Sequence, residues 1–253
     1  NSLIINVGGG VVCDLGAFIA ATFKRGIPFV NVPTSLLAMV DASVGGKNGI
    51  NFEGLKNQLG TFTQPNFVLI DPDFLATLPQ EEWESGHAEM LKHALLSGTR
   101  WSELLALETA TLTLHDIEQS VAFKAEIVKE DFKENGKRKI LNLGHTTGHA
   151  WESYAAVSGN PCTHGAAVIQ GLHVALMLSG LQDEQRALAQ RYPWQRVAEE
   201  ALQPLWERQL QDKKNTHGEV RYVLLEQLAR PVWDVEITLE RWTATVLALN
   251  SAS

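Results

Sequence analysis

The sequence predicts an α/β nucleotide-binding domain followed by a mostly α-helical domain, and three observations predict it. A β-branched run at residues 3–7 ends in Gly8-Gly9-Gly10 and leads into a helical pattern. Two more short apolar runs follow in the first third, at residues 29–32 and 67–70. Past Pro79, strand signals nearly vanish and apolar residues recur at helical spacing. We therefore divide the chain into residues 1–78, part of a nucleotide-binding domain, and residues 79–253, a mostly helical domain.

In order, residues 3–7 read as a buried strand, Gly8-Gly9-Gly10 as a turn, and residues 11–23 as the helix after it. The chain opens at Asn1 without a methionine and enters this strand directly, which suggests a piece of a longer protein. Residues 29–32 form a second strand stopped by Pro33, and residues 67–70 a third that ends at Asp71-Pro72. The glycine-spaced polar stretch 41–60 is too long for a simple connection and reads as a functional loop. Helical patterns occupy residues 81–96, 101–113, 117–133, 142–154, 164–181 and 183–191. A short strand at 220–225 and a helix at 239–249 complete the chain.

Composition narrows the function classes. With 45% apolar and 20% charged residues among 253, the chain can bury one large core or two smaller ones. A net charge of -8 argues against a nucleic-acid partner held by bulk electrostatics, while leaving room for a local cationic pocket. Cys13 and Cys162, the only two cysteines, make neither a zinc knuckle nor a disulfide framework, and a reducing cytoplasm is the simplest compartment. No apolar run reaches membrane-spanning length.

Five places could carry chemistry. A strand that ends in three glycines before a helix lets backbone N–H groups approach an anion such as a pyrophosphate; a tight structural turn accounts for it equally well. Lys47 and Lys56 stand among glycines, which suits phosphate or carboxylate recognition better than a plain solvated loop. Glu89 and Lys92 share a helix face, where the two alone would be read as a surface ion pair. His145 and His149, four apart, suit ligation of a divalent ion, a core or capping role being the alternative, and His164 offers a third imidazole. Lys124, Arg138 and Asp212-Lys213-Lys214 supply cations, each by itself a surface residue until convergence is shown.

Taken together, the motifs resemble the 3-dehydroquinate synthases. The resemblance rests on Val7-Gly8-Gly9-Gly10-Val11-Val12-Cys13-Asp14-Leu15, Lys24-Arg25-Gly26-Ile27-Pro28-Phe29, Val32-Pro33-Thr34-Ser35-Leu36-Leu37-Ala38 and Gly45-Gly46-Lys47. It continues through Leu55-Lys56-Asn57, Ala88-Glu89-Met90-Leu91-Lys92, Leu141-Asn142-Leu143-Gly144-His145-Thr146, His164-Gly165 and Asp212-Lys213-Lys214, in the family's order along nearly the whole chain. It implies a dehydroquinate synthase-like fold, entered partway into the family's first domain, and a metal, zinc or cobalt, held by Glu89, His145 and His164. His149 then faces the substrate phosphate instead of the metal. NAD would touch Gly10, Val11, Val12, Cys13, Asp14, Thr34, Ser35, Lys47, Lys56, Phe74, Leu75, Ala76 and Thr77. Substrate anions would meet Lys47, Asn57, Lys92, Lys124, Arg138, Asn142, His149, Lys213 and Lys214, with Asp41 a further active-site position. Arg25 matches an arginine lent to a neighbouring subunit, which implies a homodimer.

The implied substrate, 3-deoxy-D-arabino-heptulosonate 7-phosphate, has a carboxylate and a phosphate, so it needs two cationic clusters. In the implied reaction NAD transiently oxidises a hydroxyl, phosphate is eliminated, the hydride returns and the opened ring closes as a carbocycle, without net redox change. Three positions depart from the family's commonest form: Ala166 for a glutamate, Phe132 for an acidic residue, and His87 for an apolar one. A carboxylate at 166 would orient nearby groups, so its absence predicts lowered metal affinity. Competing readings are a sugar-phosphate cyclase making an inosose or a valiolone, a metal-dependent polyol dehydrogenase, and an inactive fragment.

Overall fold

The computed structural model describes residues 2–52, 55–211 and 220–252, the side chains of residues 55–57 excepted. Asp212, Lys213 and Lys214, and the side chains of Lys56 and Asn57, lie outside the described residues. In chain order the elements are β1 (Ile4–Gly8), α1 (Gly10–Thr22), β2 (Phe29–Pro33), β3 (Lys47–Phe52), β4 (Leu55–Phe62), α2 (Gln80–Ser97), α3 (Trp101–Ala106) and α4 (Leu114–Glu130). They continue as α5 (His145–Val157), α6 (His164–Leu178), α7 (Gln182–Arg191), α8 (Glu199–Leu210), β5 (Val220–Gln227), β6 (Arg230–Ile237) and α9 (Leu239–Ala252). Two compact units result, Asn1–Met90 with Glu108–Arg138, and Leu91–Leu107 with Lys139–Ser253, so α2 runs from the first into the second.

In the first unit β1 and β2 pair in parallel, Ile4 opposite Phe29 through Gly8 opposite Pro33, with α1 as the crossover that parallel pairing demands. Ala17 and Ala20 of α1 are fully buried on Phe29, flanked by Ile4 and Ile27. Asn6 and Asn31 face each other in register, and the buried Asn6 Nδ2 donates to Asn31 Oδ1 at 2.9 Å. A Cβ at Gly16 would lie 1.8 Å from Asn6 Oδ1, so only glycine lets α1 close over this amide pair.

Two expectations for this unit are corrected. Residues 67–70 form no full strand: Asn31 N–H donates to the Phe67 carbonyl at 3.3 Å, Leu69 N–H donates to Asn31 at 2.9 Å, and Asn31–Val68 remains a single bridge. The run is cut short by Pro65 on one side and, on the other, by the turn Pro72–Thr77, which Asp71 caps by accepting from Asp73 N–H at 3.0 Å. The stretch 41–60, expected as a loop, folds from residue 47 as the antiparallel ribbon β3–β4. Gly49 opposite Gly60 removes side chains from the middle of the ribbon, so no apolar alternation announces it.

Helix ends differ for local reasons. The pattern 101–113 stops at Ala106, because Leu107 and Glu108 are extended before a short turn at Thr109–Thr111. The next helix starts at Leu114, where Thr113 and Asp116 form a capping box, instead of at 117. The pattern 142–154 begins as an α-helix only at His145, since Gly144 adopts φ 77°. Two elements were unforeseen: α8, which contains Pro204, and β6, joined to β5 by a tight turn in which Ala229 takes φ 62° and its N–H donates to Leu95 at 3.1 Å.

The second unit is organised around α6, which is buried along almost its whole length. Its crossing with α5 is a close backbone approach: a Cβ at Gly171 would sit 1.7 Å from the Gly144 carbonyl oxygen, and one at Gly148 would sit 3.1 Å from that of Ala167. A buried polar network fastens α5 to the surrounding elements. Thr147 and the Tyr222 hydroxyl are 2.9 Å apart, Tyr222 donates to Gln209 Oε1, and Trp242 Nε1 donates to Thr147 at 3.4 Å.

His173 of α6 is buried between two polar partners. Its Nε2 faces the Tyr192 carbonyl at 2.8 Å and its Nδ1 faces Gln185 Nε2 at 3.1 Å, an arrangement that fits the neutral Nε2–H tautomer. Burial pushes its pKa down to about 4, although the Tyr192 carbonyl works the other way. The unfolded chain takes up this proton near pH 6.5 and the folded chain only near 4, so stability falls as pH drops through that window. The expected loss from this residue is about 2 kcal/mol between pH 7 and pH 5. Urea midpoints at the two pH values should converge in a His173→Gln variant; an unchanged pH gap would exclude this residue as the cause.

Candidate active site

The first unit carries the stretches expected at the dinucleotide and a group of charged side chains around Asp41. Gly9 caps α1 in an extended conformation without a side-chain cap, so the N–H groups at its start are available to an anion. Gly10, Val11, Val12, Cys13 and Asp14 form the first turns of α1, and Thr34 is tied beside them by its N–H to the Gly8 carbonyl at 3.0 Å. Ser35 Oγ would lie 3.5 Å from a Cβ at Gly9, and Ala42 Cβ would lie 3.2 Å from one at Gly10, so the wall opposite the turn is close. The glycines, the helix start and this wall make a cradle whose donors suit a pyrophosphate. Burial first and the Asp14 charge second push the Cys13 thiol up to about 11, which keeps it protonated near neutral pH. Phe74, Leu75, Ala76 and Thr77 lie together in the turn Pro72–Thr77, with Leu75 buried and Phe74 exposed.

Asp41 lies in a wide helical turn, Ala38–Ala42, and meets Lys124 of α4. Lys124 Nζ donates to Asp41 Oδ1 at 2.7 Å and to its carbonyl at 2.6 Å. The carboxylates of Asp41 and the fully buried Glu89 approach within 4.8 Å. Burial first and the Asp41 charge second push Asp14 up to about 7, with Lys124 pulling the other way. Arg138 is buried as well, its Nη1 donating to the Phe132 carbonyl at 2.6 Å. Phe132, where an acidic residue was expected, holds Arg138 through the main chain and packs its ring edge-on to Phe62 at 5.8 Å. Lys47 pairs with Glu134. Arg25 is exposed and lies beyond the far end of α1 from Gly10, so the described residues of one chain do not bring it to this group.

In the second unit α5 and α6 bring three imidazoles together. The rings of His145 and His149 are 5.2 Å apart, those of His145 and His164 5.3 Å, and those of His149 and His164 5.9 Å. His145 starts α5 because Gly144 reverses the chain there, and His164 starts α6 behind the Thr163 cap, which accepts from Ala166 N–H at 3.3 Å. The ligand nitrogens of His145 and His164 lie within 4.8 Å of one another. His145 Nδ1 faces the Leu143 carbonyl at 3.1 Å, and His164 Nδ1 faces Glu152 Oε2 at 3.3 Å. An oxygen acceptor at each Nδ1 fixes the proton there and gives Nε2 the lone pair, the state a divalent ion requires. Lys92 is buried on α2, one turn beyond Glu89. Asn142 Nδ2 donates to the Lys139 carbonyl at 3.1 Å.

Sequence reasoning missed Glu152. It stands three residues after His149 on α5, and that helical spacing was the available signal. It also missed the Thr147–Tyr222–Gln209 network, whose members are too far apart in sequence to be paired by eye.

Residues 1–85 match the 3-dehydroquinate synthase N-terminal family, and residues 86–218 match its C-terminal family. The 3-dehydroquinate synthase of Leptospira interrogans serogroup Icterohaemorrhagiae serovar copenhageni is 42% identical over 254 residues, which cover 94% of this chain and 70% of that protein. Among solved structures, a 2-deoxy-scyllo-inosose synthase with carbaglucose-6-phosphate, NAD+ and Co2+ superposes with a TM-score of 0.81 at 22% identity, covering 98% of this chain and 73% of that one. The 2-epi-5-epi-valiolone synthase of Streptomyces hygroscopicus subsp. jinggangensis, with NAD+ and Zn2+ bound, gives 0.80 at 25% identity and covers 100% and 74%. The fold is thus that of the dehydroquinate synthase-like cyclases. By both domain matches and its identity to the Leptospira enzyme, the chain belongs to the 3-dehydroquinate synthase family.

Proposed function

We propose that the chain converts 3-deoxy-D-arabino-heptulosonate 7-phosphate to 3-dehydroquinate with release of phosphate, using NAD and a divalent ion, zinc or cobalt. The observation that carries this reading is the gathering of His145, His149 and His164 by α5 and α6, in a chain of this family. When bound, NAD supplies a reversible hydride acceptor and the ion supplies Lewis-acid polarisation of sugar oxygens. Glu89, His145 and His164 would hold the ion; Glu89 is fully buried one residue before α2 passes Met90 into the second unit. The Gly8-Gly9-Gly10 turn, Asp14, Thr34 and Ser35 would hold the dinucleotide, joined by Lys47, Lys56 and the segment 74–77.

The remaining roles follow from charge. A substrate with a carboxylate and a phosphate is bound only where cations replace its hydration, and Lys92, Lys124 and Arg138 are buried cations. With Asn57, Asn142, Lys213 and Lys214 they would position both anions. His149, the exposed imidazole of the three, is suited to give or take a proton at a phosphate oxygen. Arg25, exposed beyond the end of α1, would serve a second subunit of a homodimer. No helix among the described residues is long and apolar enough to cross a membrane, and Cys13 and Cys162 form no disulfide. Both facts suit a cytoplasmic enzyme.

An inosose or valiolone cyclase would share the NAD and metal parts, but the buried cations favour an acid substrate, as does the 42% identity to a 3-dehydroquinate synthase. The direct test is inorganic phosphate released from the heptulosonate substrate with NAD and zinc present. Expected is phosphate release without net NADH; net NADH from a polyol would overturn the reading. Glu89→Gln and His164→Ala should each lower bound zinc to well below one per chain and reduce phosphate release about 1,000-fold or more, the range a lost catalytic metal spans.

A further inference from the structure

Position 166, where the resemblance implies a glutamate, is Ala166, which offers only its backbone N–H, and Thr163 caps that. The structure supplies a carboxylate from elsewhere. Glu152, on the α5 turn after His149, brings Oε2 to 3.3 Å from His164 Nδ1, and the glutamate side chain is mostly buried, at 14% exposure. We propose that Glu152 is the positioning residue of the metal site, which fixes the His164 tautomer and ring orientation from α5 and compensates for Ala166. The inference rests on the metal reading given above.

The argument is chemical. An imidazole ligates through a nitrogen lone pair, so its proton must sit on the other nitrogen, and an anionic acceptor beside Nδ1 holds it there more firmly than a neutral one. The partial negative charge passed through the ring also makes Nε2 a better donor to a cation. His145 meets a neutral acceptor, the Leu143 carbonyl at 3.1 Å, whereas His164 meets a carboxylate. The orientation of His164 therefore depends on a side chain of the helix that carries His145 and His149. The α5–α6 crossing and this contact together set the distance between the two imidazoles.

The test is zinc affinity of the full chain, measured by competition with a chromophoric chelator, alongside apo-protein thermal melting. Glu152→Ala is expected to bind zinc 10- to 100-fold more weakly, the range typical for loss of such a partner. Stoichiometry at saturating zinc should stay at one, and saturating zinc should restore most of kcat. Glu152→Gln, which keeps an acceptor without the charge and preserves shape, should fall between wild type and Glu152→Ala, and it serves if the alanine variant does not fold. Wild-type affinity in both variants, with His164→Ala having lost zinc, would overturn the proposal while leaving the metal reading intact. Unaltered zinc binding in His164→Ala would instead remove the metal reading, and the role of Glu152 with it.

Discussion

Gly171→Ala is expected to destabilise the second unit by about 3 kcal/mol or more and to weaken zinc binding in the same protein. In an ordinary helix interior the change would help, because alanine has the higher helix propensity by about 1 kcal/mol. Here the new methyl would stand 1.7 Å from the Gly144 carbonyl oxygen, with the Gly144 carbonyl carbon at 2.7 Å and Gly148 N at 2.9 Å. All three are backbone atoms, so no side chain can rotate away. The helices must separate, and they are the two that present His145 and His164. For a chain of this size the melting temperature should fall by roughly 6–12 °C. Gly136→Ala is the control, since its added Cβ meets nothing nearer than Asp131 Oδ2 at 3.9 Å. Melting and zinc titration of both variants decide the point: Gly171→Ala with wild-type affinity would show that the imidazoles do not depend on this crossing.

The contrast between these two glycines shows where the sequence could be read and where it could not. Gly8-Gly9-Gly10 was legible as a turn because three glycines stand between a β-branched run and a helical pattern. Gly171 was not, because an isolated glycine in a helical pattern looks like a weak position until the facing backbone is known. The β3–β4 ribbon stayed hidden because Gly49 faces Gly60 and Lys47 opens the strand, so alternation never shows. For α8 the obstacle was Pro204, which reads as a breaker although the helix continues around it. In β6, Pro231 and the bulged pairing against β5 break the period of two.

The candidate site divides in the same way. His145 and His149 at four-residue spacing were visible, but spacing alone paired them as ligands; the third ring, His164, reaches both only through the α5–α6 crossing. Lys124 and Arg138 read as surface cations because their helical neighbourhoods are polar. Their burial comes from what packs on them, Asp41 in one case and the Phe132 carbonyl in the other. Lone charges carry no mark of their partners when those partners are 83 residues away, as Asp41 is from Lys124.

Lys124→Met is the second change expected to matter most, because it leaves the Asp41 carboxylate without its lysine while Asp14 stays close. Removing one partner of a buried pair costs about 3–5 kcal/mol, and one-quarter exposure of the Asp41 side chain places this pair at the lower end, near 3. The deficit should depend on pH. Asp14 already holds its proton up to about 7 in the folded chain against 3.8 as its ordinary value, so its contribution to stability falls as pH rises between those values. Without Lys124, which opposes that shift, the fall should continue to higher pH, so the variant should be closest to wild type near pH 5 and furthest from it near pH 8. Asp41→Asn in the Lys124→Met background should recover part of the loss, since a neutral amide is less costly to bury than a carboxylate that has lost its lysine, even with Arg138 near it. Chemical denaturation of wild type, Lys124→Met, Asp41→Asn and the double variant at both pH values gives the coupling energy directly. A coupling near zero, or a deficit that does not grow with pH, would mean that the pair is screened well enough to contribute little to the fold. Lys124 would then be left with only its proposed role toward the substrate anion, to be read from KM.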